Sequence, residues 1–221
     1  MFRVGSEDSN LPGAAVSCNL LARAPQPGRS KTRLIAALGA EGAADAHAVL
    51  LTHVAGMARH WCSRSGSGRL FRLWVTPDET DPFFATVADS VQLRLQPEGD
   101  LGVRLDRIAR CGLAEAGAVL LLGGDAVSLD SSALDRAAEA LLRHPAVLIP
   151  AADGGYVLLG LTRHAPQLFA AIPWGSGQVA EATRRVFQEL GWSWEEIPGH
   201  WDVDRLEDWE RFRGIDKNLV Q

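Results

Sequence analysis

Cationic side chains follow directly after the first apolar segment of this chain. The apolar run 14–21 is typical of a buried strand, and residues 22–34 continue it as Ala-Arg-Ala-Pro-Gln-Pro-Gly-Arg-Ser-Lys-Thr-Arg-Leu. Two prolines and Gly28 impose a stiff loop, and Lys31 and Arg33 stand where a helix is expected to begin. Because helix amides and cationic side chains together bind phosphate, the segment predicts a nucleotide-phosphate site. A surface turn before a basic helix explains the same residues equally well.

Carboxylates follow two later segments. The apolar run 118–122 ends in two glycines before Asp125, which predicts a ligand for Mg²⁺ or Mn²⁺ beside a backbone that a substrate can approach closely. The alternative is a turn residue that caps the next helix. Asp202 and Asp204 share one face if the chain is extended there, and such a pair repels itself unless a cation or an arginine joins it. Asp204 could also cap a helix over 205–213.

Two further turns carry charged residues next to glycine. Asp153 precedes Gly154 and Gly155, a pattern typical either of a hairpin turn or of a charged group facing a pocket above a glycine floor. Asp100 precedes an apolar helical pattern and is predicted to be its N-cap. Arg104, one turn into that helix, faces either solvent or an anion.

The elements that must position these residues alternate between strand and helix patterns. Strands are predicted at 14–21, 70–75, 91–95, 118–122, 146–149 and 156–161. Helices are predicted at 31–38, 43–62, 101–115, 131–143, 179–190 and 205–213, the fourth capped by Ser131 or Ser132. This alternation favours a mainly parallel sheet between two layers of helices. Ligands of such sheets bind beyond the carboxyl ends of the strands, where the charged residues lie.

Global composition excludes several classes of protein. A net charge of −5 argues against a nucleic-acid binder, and three scattered cysteines without a C-x-x-C pair argue against a disulfide or zinc framework. We expect no apolar run long enough to span a membrane, hence no membrane insertion, and a cytoplasmic protein. Residues 1–13 are predicted to form a loose tail and residues 14–221 one domain.

Taken together and in order, the motifs resemble those of a known family. The resemblance spans about residues 19–209 and rests on Ala22-Arg23-Ala24-Pro25, Lys31-Thr32-Arg33-Leu34, Gly99-Asp100-Leu101-Gly102 with Arg104, Asp125, Asp153-Gly154-Gly155-Tyr156 with Leu159-Gly160, Trp174, and Asp202-Val203-Asp204. These residues are similar to those of the small bacterial GT-A-fold transferases. That group comprises glycosyltransferase-like and radical-SAM/selenodomain-associated members of the nucleotide-diphospho-sugar transferase superfamily.

The resemblance implies a three-layer αβα fold with a mixed, mainly parallel sheet of about seven strands. It implies a nucleotide site formed by Ala22, Arg23, Ala24, Gly28, Lys31, Arg33 and Arg104. It implies Mg²⁺ or Mn²⁺ held by Asp125, Asp202 and Asp204, which would neutralise a diphosphate. Asp153 and Lys31 would be catalytic, and the acceptor would meet Asp153, Gly154, Gly155, Tyr156 and Trp174.

The chain departs from the family pattern in two places. Ala126-Val127 stands where members carry Cys-Pro, which is expected to loosen the loop that aims Asp125. Trp174-Gly175-Ser176-Gly177 stands where members carry Trp-Ser-Thr, which removes a hydroxyl on the acceptor side.

Three functions therefore stay open. The first is a metal-dependent glycosyltransferase-like enzyme that takes a nucleotide-sugar and a small-molecule acceptor. The second is a nucleotidyltransferase that uses an NTP and releases pyrophosphate, which the cations Lys31 and Arg33 favour. The third is a non-catalytic nucleotide-binding protein, which the two departures favour.

Overall fold

The structure, a computed structural model, describes residues 15–64, 68–88 and 91–219. Its strands are β1 (Val16–Arg23), β2 (Leu70–Thr76), β3 (Gln92–Leu95), β4 (Ala118–Gly123), β5 (Ala146–Pro150), β6 (Tyr156–Leu161) and β7 (Trp194–Glu196). Its helices are α1 (Ile35–Ser63), α2 (Pro82–Ala88), α3 (Leu101–Ala116), α4 (Ser131–Ala140), α5 (Gln167–Ala170), α6 (Val179–Glu189) and α7 (Leu206–Leu219). A short 3₁₀ turn, Thr32–Leu34, precedes α1. The predicted tail at 1–13 lies outside the described residues, and the prediction of one domain stays a prediction.

The strands form one seven-stranded sheet in the order β3-β2-β1-β4-β6-β5-β7. Strand β6 runs antiparallel to both of its neighbours, and the remaining pairs are parallel. The predicted mixed, mainly parallel sheet of seven strands is therefore confirmed. Strand β1 lies between β2 and β4, so the loops after these strands open at the same edge.

Both faces of the sheet are buried, as the continuous apolar run of β4 predicts. Leu120 and Leu122 pack in one hydrophobic cluster with α1 and α4, whereas Val119 and Leu121 pack in a second cluster with α3, α5 and α6. This two-residue alternation places helices on both sides of the sheet. The three-layer αβα architecture follows from it.

Helix α1 joins two predicted helices, and Gly39 marks the break between them. Its backbone there is non-helical, with φ 73° and ψ 171°.

By length and composition, the stretch Thr32–Ser63 is apolar enough to cross a membrane, so the expectation that no run has this length was wrong. In the fold, Leu50, Leu51 and Val54 of this helix are buried in the core beside the sheet. That burial is typical of a core helix.

One predicted helix cap is confirmed and another is corrected. The side chain of Asp100 accepts a hydrogen bond from the Val103 amide at 2.9 Å and caps α3, as predicted. Helix α4 is capped by Asp130, which accepts from the Ala133 amide at 2.7 Å, and not by Ser131 or Ser132. A carboxylate one residue earlier reaches the free amides of the first turn.

Candidate functional site

A cavity of about 570 Å³ opens at the carboxyl-terminal edge of β1 and β4, beside the turn that joins β5 to β6. Its polar and glycine lining consists of Arg33, Gly123, Asp125, Asp153, Gly155, Gly175, Ser176, Gly177, Asp202, Asp204 and Arg205. Its apolar and aromatic lining consists of Leu21, Leu101, Leu105, Leu121, Leu122, Tyr156, Val157, Trp174 and Val179. Four of the predicted charged segments therefore meet at one cavity, although they lie far apart in the sequence.

Lys31 connects three of these segments. Its buried ammonium donates to the Asp125 carboxylate at 2.6 Å and to the Val203 carbonyl oxygen. Its backbone lies in the left-handed region with φ 44° and ψ 49°, the one positive φ outside glycine among the described residues. Such a conformation costs about 1–2 kcal/mol in an L-residue, so the surrounding loop must impose it.

The loop before Lys31 is closed by Ser30, which the sequence did not single out. The buried Ser30 hydroxyl donates to the Ala24 carbonyl at 3.0 Å and accepts from the Gln26 amide at 3.1 Å. The Ser30 amide also donates to the Gln26 carbonyl oxygen. A serine between Gly28 and Lys31 is the signal that was available, because serine hydroxyls commonly close turns.

Asp125 is fixed at the tip of β4 by its backbone. Its carbonyl oxygen accepts from the Val127 amide at 2.8 Å and from the Val203 amide at 3.2 Å. Ala126 and Val127, which replace the Cys-Pro of the resembled family, are buried in the core. Instead of the expected loosening, the loop is anchored by apolar packing, and it holds residues 202–204 beside Asp125.

The charge of Asp125 is set by two opposing effects. Burial disfavours the carboxylate, but the charge and the hydrogen bond of Lys31 outweigh burial and hold the pKa of Asp125 below its usual range. Asp125 is thus an ionised oxygen donor already neutralised by a lysine. It makes no cap for α4, because Asp130 does so.

Asp202 has the opposite environment. Burial, followed by the negative charges of Asp125 and Asp153, raises the pKa of Asp202 to about 6. Three carboxylates therefore share one electrostatic environment, and Asp202 lacks the direct ion pair that Lys31 forms with Asp125. Such an excess of negative charge is relieved by a bound cation.

Asp204 lies close to these residues but is engaged elsewhere. Its carboxylate forms an ion pair with the Arg33 guanidinium. The amides just before α7 are satisfied from inside the helix by Asp208, whose carboxylate accepts from the Asp204 amide at 3.1 Å and from the Arg205 amide at 2.9 Å. The two carboxylates of the Asp-Val-Asp segment therefore have different surroundings. Asp204 is paired with an arginine, whereas Asp202 lines the cavity.

The donor set fits a divalent cation in part. No three His, Cys, Asp or Glu side chains within the described ranges are close enough to hold a metal by themselves. Asp125 and Asp202 nevertheless supply two neighbouring carboxylates, and Mg²⁺ commonly takes one or two carboxylates together with substrate phosphates and water. Asp125 and Asp202 fit such a cation, whereas Asp204 is held by Arg33.

The β5–β6 turn combines both of its predicted roles. It is a hairpin turn, and Asp153 Oδ1 accepts from the Gly155 amide at 2.8 Å while the side chain lines the cavity. Gly154 is needed for packing: its φ is +88°, and a Cβ there would lie 2.1 Å from the Gly177 carbonyl oxygen. The Gly154 carbonyl accepts from the Ala180 amide at 2.9 Å, which docks the segment 174–180 onto the hairpin.

Trp174 and Tyr156 form an aromatic wall. Their rings meet edge to face with centroids 6.2 Å apart. Trp174 Nε1 donates to the Phe169 carbonyl at 3.2 Å, directly above Gly102 of α3. A Cβ on Gly102 would lie 2.7 Å from that nitrogen, so glycine is what allows the ring to pack there. Burial raises the pKa of the Tyr156 hydroxyl, which stays protonated.

Several residues of the predicted nucleotide site lie outside the cavity lining. They are Ala22, Arg23, Ala24, Gly28, Lys31 and Arg104. Ala22 and Ala24 are buried, and Arg104 donates to the Gly99 carbonyl at 2.9 Å and to Gln96 Oε1 at 3.3 Å. Lys31 reaches the site through Asp125. The nucleotide-binding roles of these residues stay predictions.

Some residues of the cavity were not predicted from the sequence. Arg205 follows the Asp-Val-Asp segment and could have been found as an adjacent cation. Leu101 and Leu105 belong to the pattern of α3, but only the fold shows that they line a cavity. The Val203 carbonyl oxygen, which accepts from Lys31, leaves no signal in the sequence.

Comparisons with known proteins agree with this architecture. A family model described as "Uncharacterized protein conserved in bacteria (DUF2064)" matches residues 62–176, just over half of the chain. The comparison with curated proteins gave no match.

Solved structures are similar over most of the chain. A protein described as a putative nucleotide-diphospho-sugar transferase from Desulfovibrio desulfuricans G20 superposes with a TM-score of 0.77 at 23% identity, covering 87% of this chain and 83% of that one. The 4-diphosphocytidyl-2C-methyl-D-erythritol synthase of Anaerococcus prevotii DSM 20548 superposes with a TM-score of 0.61 at 11% identity, covering 94% of this chain and 98% of that one. A CMP:2-keto-3-deoxy-manno-octonic acid synthetase complexed with CTP superposes with a TM-score of 0.58 at 11% identity, covering 93% of this chain and 100% of that one. At these identities the likeness establishes a shared fold.

Proposed function

This chain belongs to the DUF2064 family of bacterial proteins, and we propose that it is a metal-dependent transferase with a nucleotide-activated donor. The donor is a nucleotide-sugar, and the acceptor is a small molecule. The observation that carries the proposal is one cavity at which Arg33, from the segment after β1, meets three carboxylates from other segments, one of them paired with Lys31. A diphosphate with a divalent cation is the ligand that satisfies both sets of charges.

The phosphate groups are assigned to the Arg33 side of the cavity. Arg33 lines the cavity and is more than half exposed, so its guanidinium can exchange Asp204 for a phosphate oxygen. Lys31 is close by and can turn its ammonium from Asp125 to a phosphate when the carboxylate gains another partner. A cation held by Asp125 and Asp202 would neutralise the diphosphate and stabilise charge that develops on the leaving group.

Asp153 is assigned to the acceptor. It lines the cavity together with Asp202, and its hydrogen bond to the Gly155 amide fixes the carboxylate beside the glycine floor. A carboxylate in this position can orient an acceptor hydroxyl and accept its proton as the new bond forms. Trp174, docked above α3, closes the same side of the cavity.

Nucleotidyl transfer is the second candidate. Two proteins of the same fold are described as a diphosphocytidyl-methylerythritol synthase and as a synthetase complexed with CTP, and the cations Lys31 and Arg33 suit a pyrophosphate leaving group. The nucleotide-sugar is ranked first because the similar structure of higher TM-score is described as a nucleotide-diphospho-sugar transferase. A non-catalytic nucleotide-binding protein is the third candidate.

Product analysis tests the proposal. The protein is incubated with Mg²⁺, a panel of nucleotide-sugars or NTPs, and a panel of acceptors. We expect a nucleoside diphosphate or monophosphate to be released from one nucleotide-sugar and no pyrophosphate from NTPs. Asp153→Asn is expected to lower turnover by about 10²- to 10⁴-fold, the usual contribution of a general base.

The matched control is Asp45→Asn, an exposed carboxylate on α1, which should keep full turnover. Pyrophosphate release that depends on an acceptor would select the nucleotidyltransferase instead. Tight nucleotide binding with no product from any donor would select the non-catalytic protein.

A further inference from the structure

The cavity has a second half whose chemistry differs from that of the phosphate side. Its walls are Leu101, Leu105, Leu121, Val157 and Val179, together with the rings of Tyr156 and Trp174. A ligand here gains free energy by burying apolar surface and by contact with aromatic faces. This half is formed by α3, β4, β6, the start of α6 and, for Trp174, the turn between α5 and α6.

The aromatic wall is held in place by its own packing. Trp174 is anchored through Nε1 to the Phe169 carbonyl, and Gly102 leaves the space that its indole needs. The Tyr156 hydroxyl has no hydrogen-bond partner among the described residues and is itself buried, so the part of Tyr156 that lines the cavity is its apolar ring. The wall is therefore a built surface that offers ring faces and edges to a ligand.

Charge in the cavity is distributed unevenly. The cations of the lining, as far as the structure describes it, are Arg33 and Arg205, and both belong to the side that contains Asp204. The charged group of the lining closest in sequence to the aromatic wall is Asp153, three residues before Tyr156. A carboxylate or phosphate on a ligand of the apolar half would thus meet the negative charge of Asp153 with no cationic side chain of the described lining beside it.

We propose that the apolar half is the acceptor subsite and that the acceptor is a non-anionic molecule with a ring-sized apolar body and a neutral or cationic polar end directed at Asp153. This inference rests on the proposed function, and it adds the chemical class of the acceptor. It excludes sugar phosphates and carboxylic acids as acceptors. It also makes Trp174 a specificity-determining residue.

Three matched probes test the charge preference: tyramine, 4-hydroxyphenylethanol and 4-hydroxyphenylacetate. They share a phenol ring and a two-carbon side chain, and they end in an ammonium, a hydroxyl and a carboxylate. Affinities are measured by NMR titration of the full chain. We expect the carboxylate probe to bind at least about tenfold more weakly than tyramine, with the alcohol between them, because one opposed charge pair in a partly screened site has this effect.

Variants separate the ring contact from the charge. Trp174→Ala should weaken all three probes about equally, by roughly tenfold or more, and Trp174→Phe should restore most of the affinity. Asp153→Asn should weaken the binding of tyramine and strengthen the binding of 4-hydroxyphenylacetate. The difference in affinity between the two probes should therefore become smaller. Leu142→Ala, at a side chain that is 68% exposed outside the cavity, is the control and should change none of these values. A thermal melt of each variant verifies that it is folded.

Two results would overturn the inference. One is equal or tighter binding of 4-hydroxyphenylacetate than of tyramine. The other is displacement of the probes by a nucleoside alone, which would make the apolar half the base site. Either result leaves the proposed function standing if UDP, CDP, GDP or ADP still binds with Mg²⁺, whereas loss of that nucleotide binding would contradict the proposed function instead.

Discussion

At the scale of single residues, Lys31 has the most unusual environment. Its backbone is left-handed, its ammonium is buried, and its partners lie more than ninety positions away in the chain. Strain of this kind persists where surrounding structure imposes it, and it commonly accompanies a functional position. We assign Lys31 two partners, Asp125 when no nucleotide is bound and a phosphate oxygen when one is bound.

This assignment predicts a selective loss of phosphate binding. Lys31→Ala and Arg33→Ala should each weaken the binding of a nucleoside diphosphate by about 10- to 100-fold, because a charge-assisted hydrogen bond is removed. The matching nucleoside should bind each variant as it binds the wild type. Calorimetric titration measures both ligands.

Arg29→Ala is the matched control, since Arg29 is an exposed cation of the same loop outside the cavity lining. Its affinity for both ligands should not change. If the Lys31 and Arg33 variants lost equal affinity for the nucleoside and for the nucleoside diphosphate, the segment would be a basic surface turn and not a phosphate site.

The sequence predicted which carboxylates gather but not how they are paired. Asp125, Asp153 and Asp202 were found because each follows a strand or an extended segment, and the ends of such segments meet at one edge of the sheet. The pairing of Asp204 with Arg33 joins positions 171 residues apart, and no local pattern encodes it. The same reason hid the Val203 carbonyl. The hydrogen bonds of Asp208 span only three and four residues, so a local pattern could have indicated them.

At the scale of elements, α1, α4 and the start of β2 are tied together through Asp135. Its carboxylate accepts from Trp61 Nε1 at 2.9 Å, from Arg64 at 2.8 Å and from Arg69 at 2.8 Å. The Arg69 guanidinium also lies 3.8 Å from the centroid of the Trp61 ring. Burial acts against the carboxylate, but these three hydrogen bonds outweigh it and lower the pKa of Asp135.

A pH-dependent stability follows from this lowered pKa. A carboxyl whose pKa is lower in the folded state contributes stability above its unfolded pKa of about 3.9, and that contribution is lost as the pH falls through the folded value. Asp135→Asn should therefore cost about 1 kcal/mol at pH 7, after allowance for solvent screening, and less at pH 3. Urea unfolding at both pH values measures the difference.

The control for this prediction is again Asp45→Asn, whose carboxylate is exposed. Its unfolding free energy should follow that of the wild type at both pH values. A cost of Asp135→Asn that is the same at pH 3 and pH 7 would show that the ion pairs do not carry it.

Helix α3 and the segment around Trp174 are in contact only because residue 102 is glycine. A Cβ there would lie 2.3 Å from the Phe169 carbonyl oxygen and 2.7 Å from Trp174 Nε1. Gly102→Ala should therefore destabilise the fold by about 1–3 kcal/mol and shift the tryptophan fluorescence as the indole moves.

Gly56→Ala provides the comparison within α1, because a Cβ on Gly56 meets nothing within 4 Å. It should stabilise the protein by up to about 1 kcal/mol through helix propensity alone. If both variants had the same stability, the close approach of α3 to Trp174 would be refuted.

The elements that the sequence failed to predict are short. Strand β7 has three residues, two of them glutamates, α5 has four residues and α2 has seven. None of these is long enough to show a clear hydrophobic period, and β7 is defined by its pairing with β5 rather than by its own composition. The six longer strands and the other five helices were predicted from their apolar patterns, α1 as two separate helices.

At the scale of the whole molecule, the order of the strands explains the position of the site. The sheet places β1 between β2 and β4, and the antiparallel β6 brings the β5–β6 turn to the same edge as the loop after β1. Arg33 from the segment after β1 and carboxylates from the turn after β4, from the hairpin and from residues 202–204 therefore line one cavity. The central claim is that this cavity binds a nucleotide diphosphate together with a divalent cation.

Calorimetric titration of a nucleoside diphosphate, with Mg²⁺ and then with EDTA, tests that claim most directly. We predict that Mg²⁺ strengthens binding at least about tenfold in the wild type and that Asp125→Asn and Asp202→Asn, both folded by thermal melt, abolish the enhancement. The same dissociation constant with Mg²⁺ and with EDTA in the wild type would contradict the account.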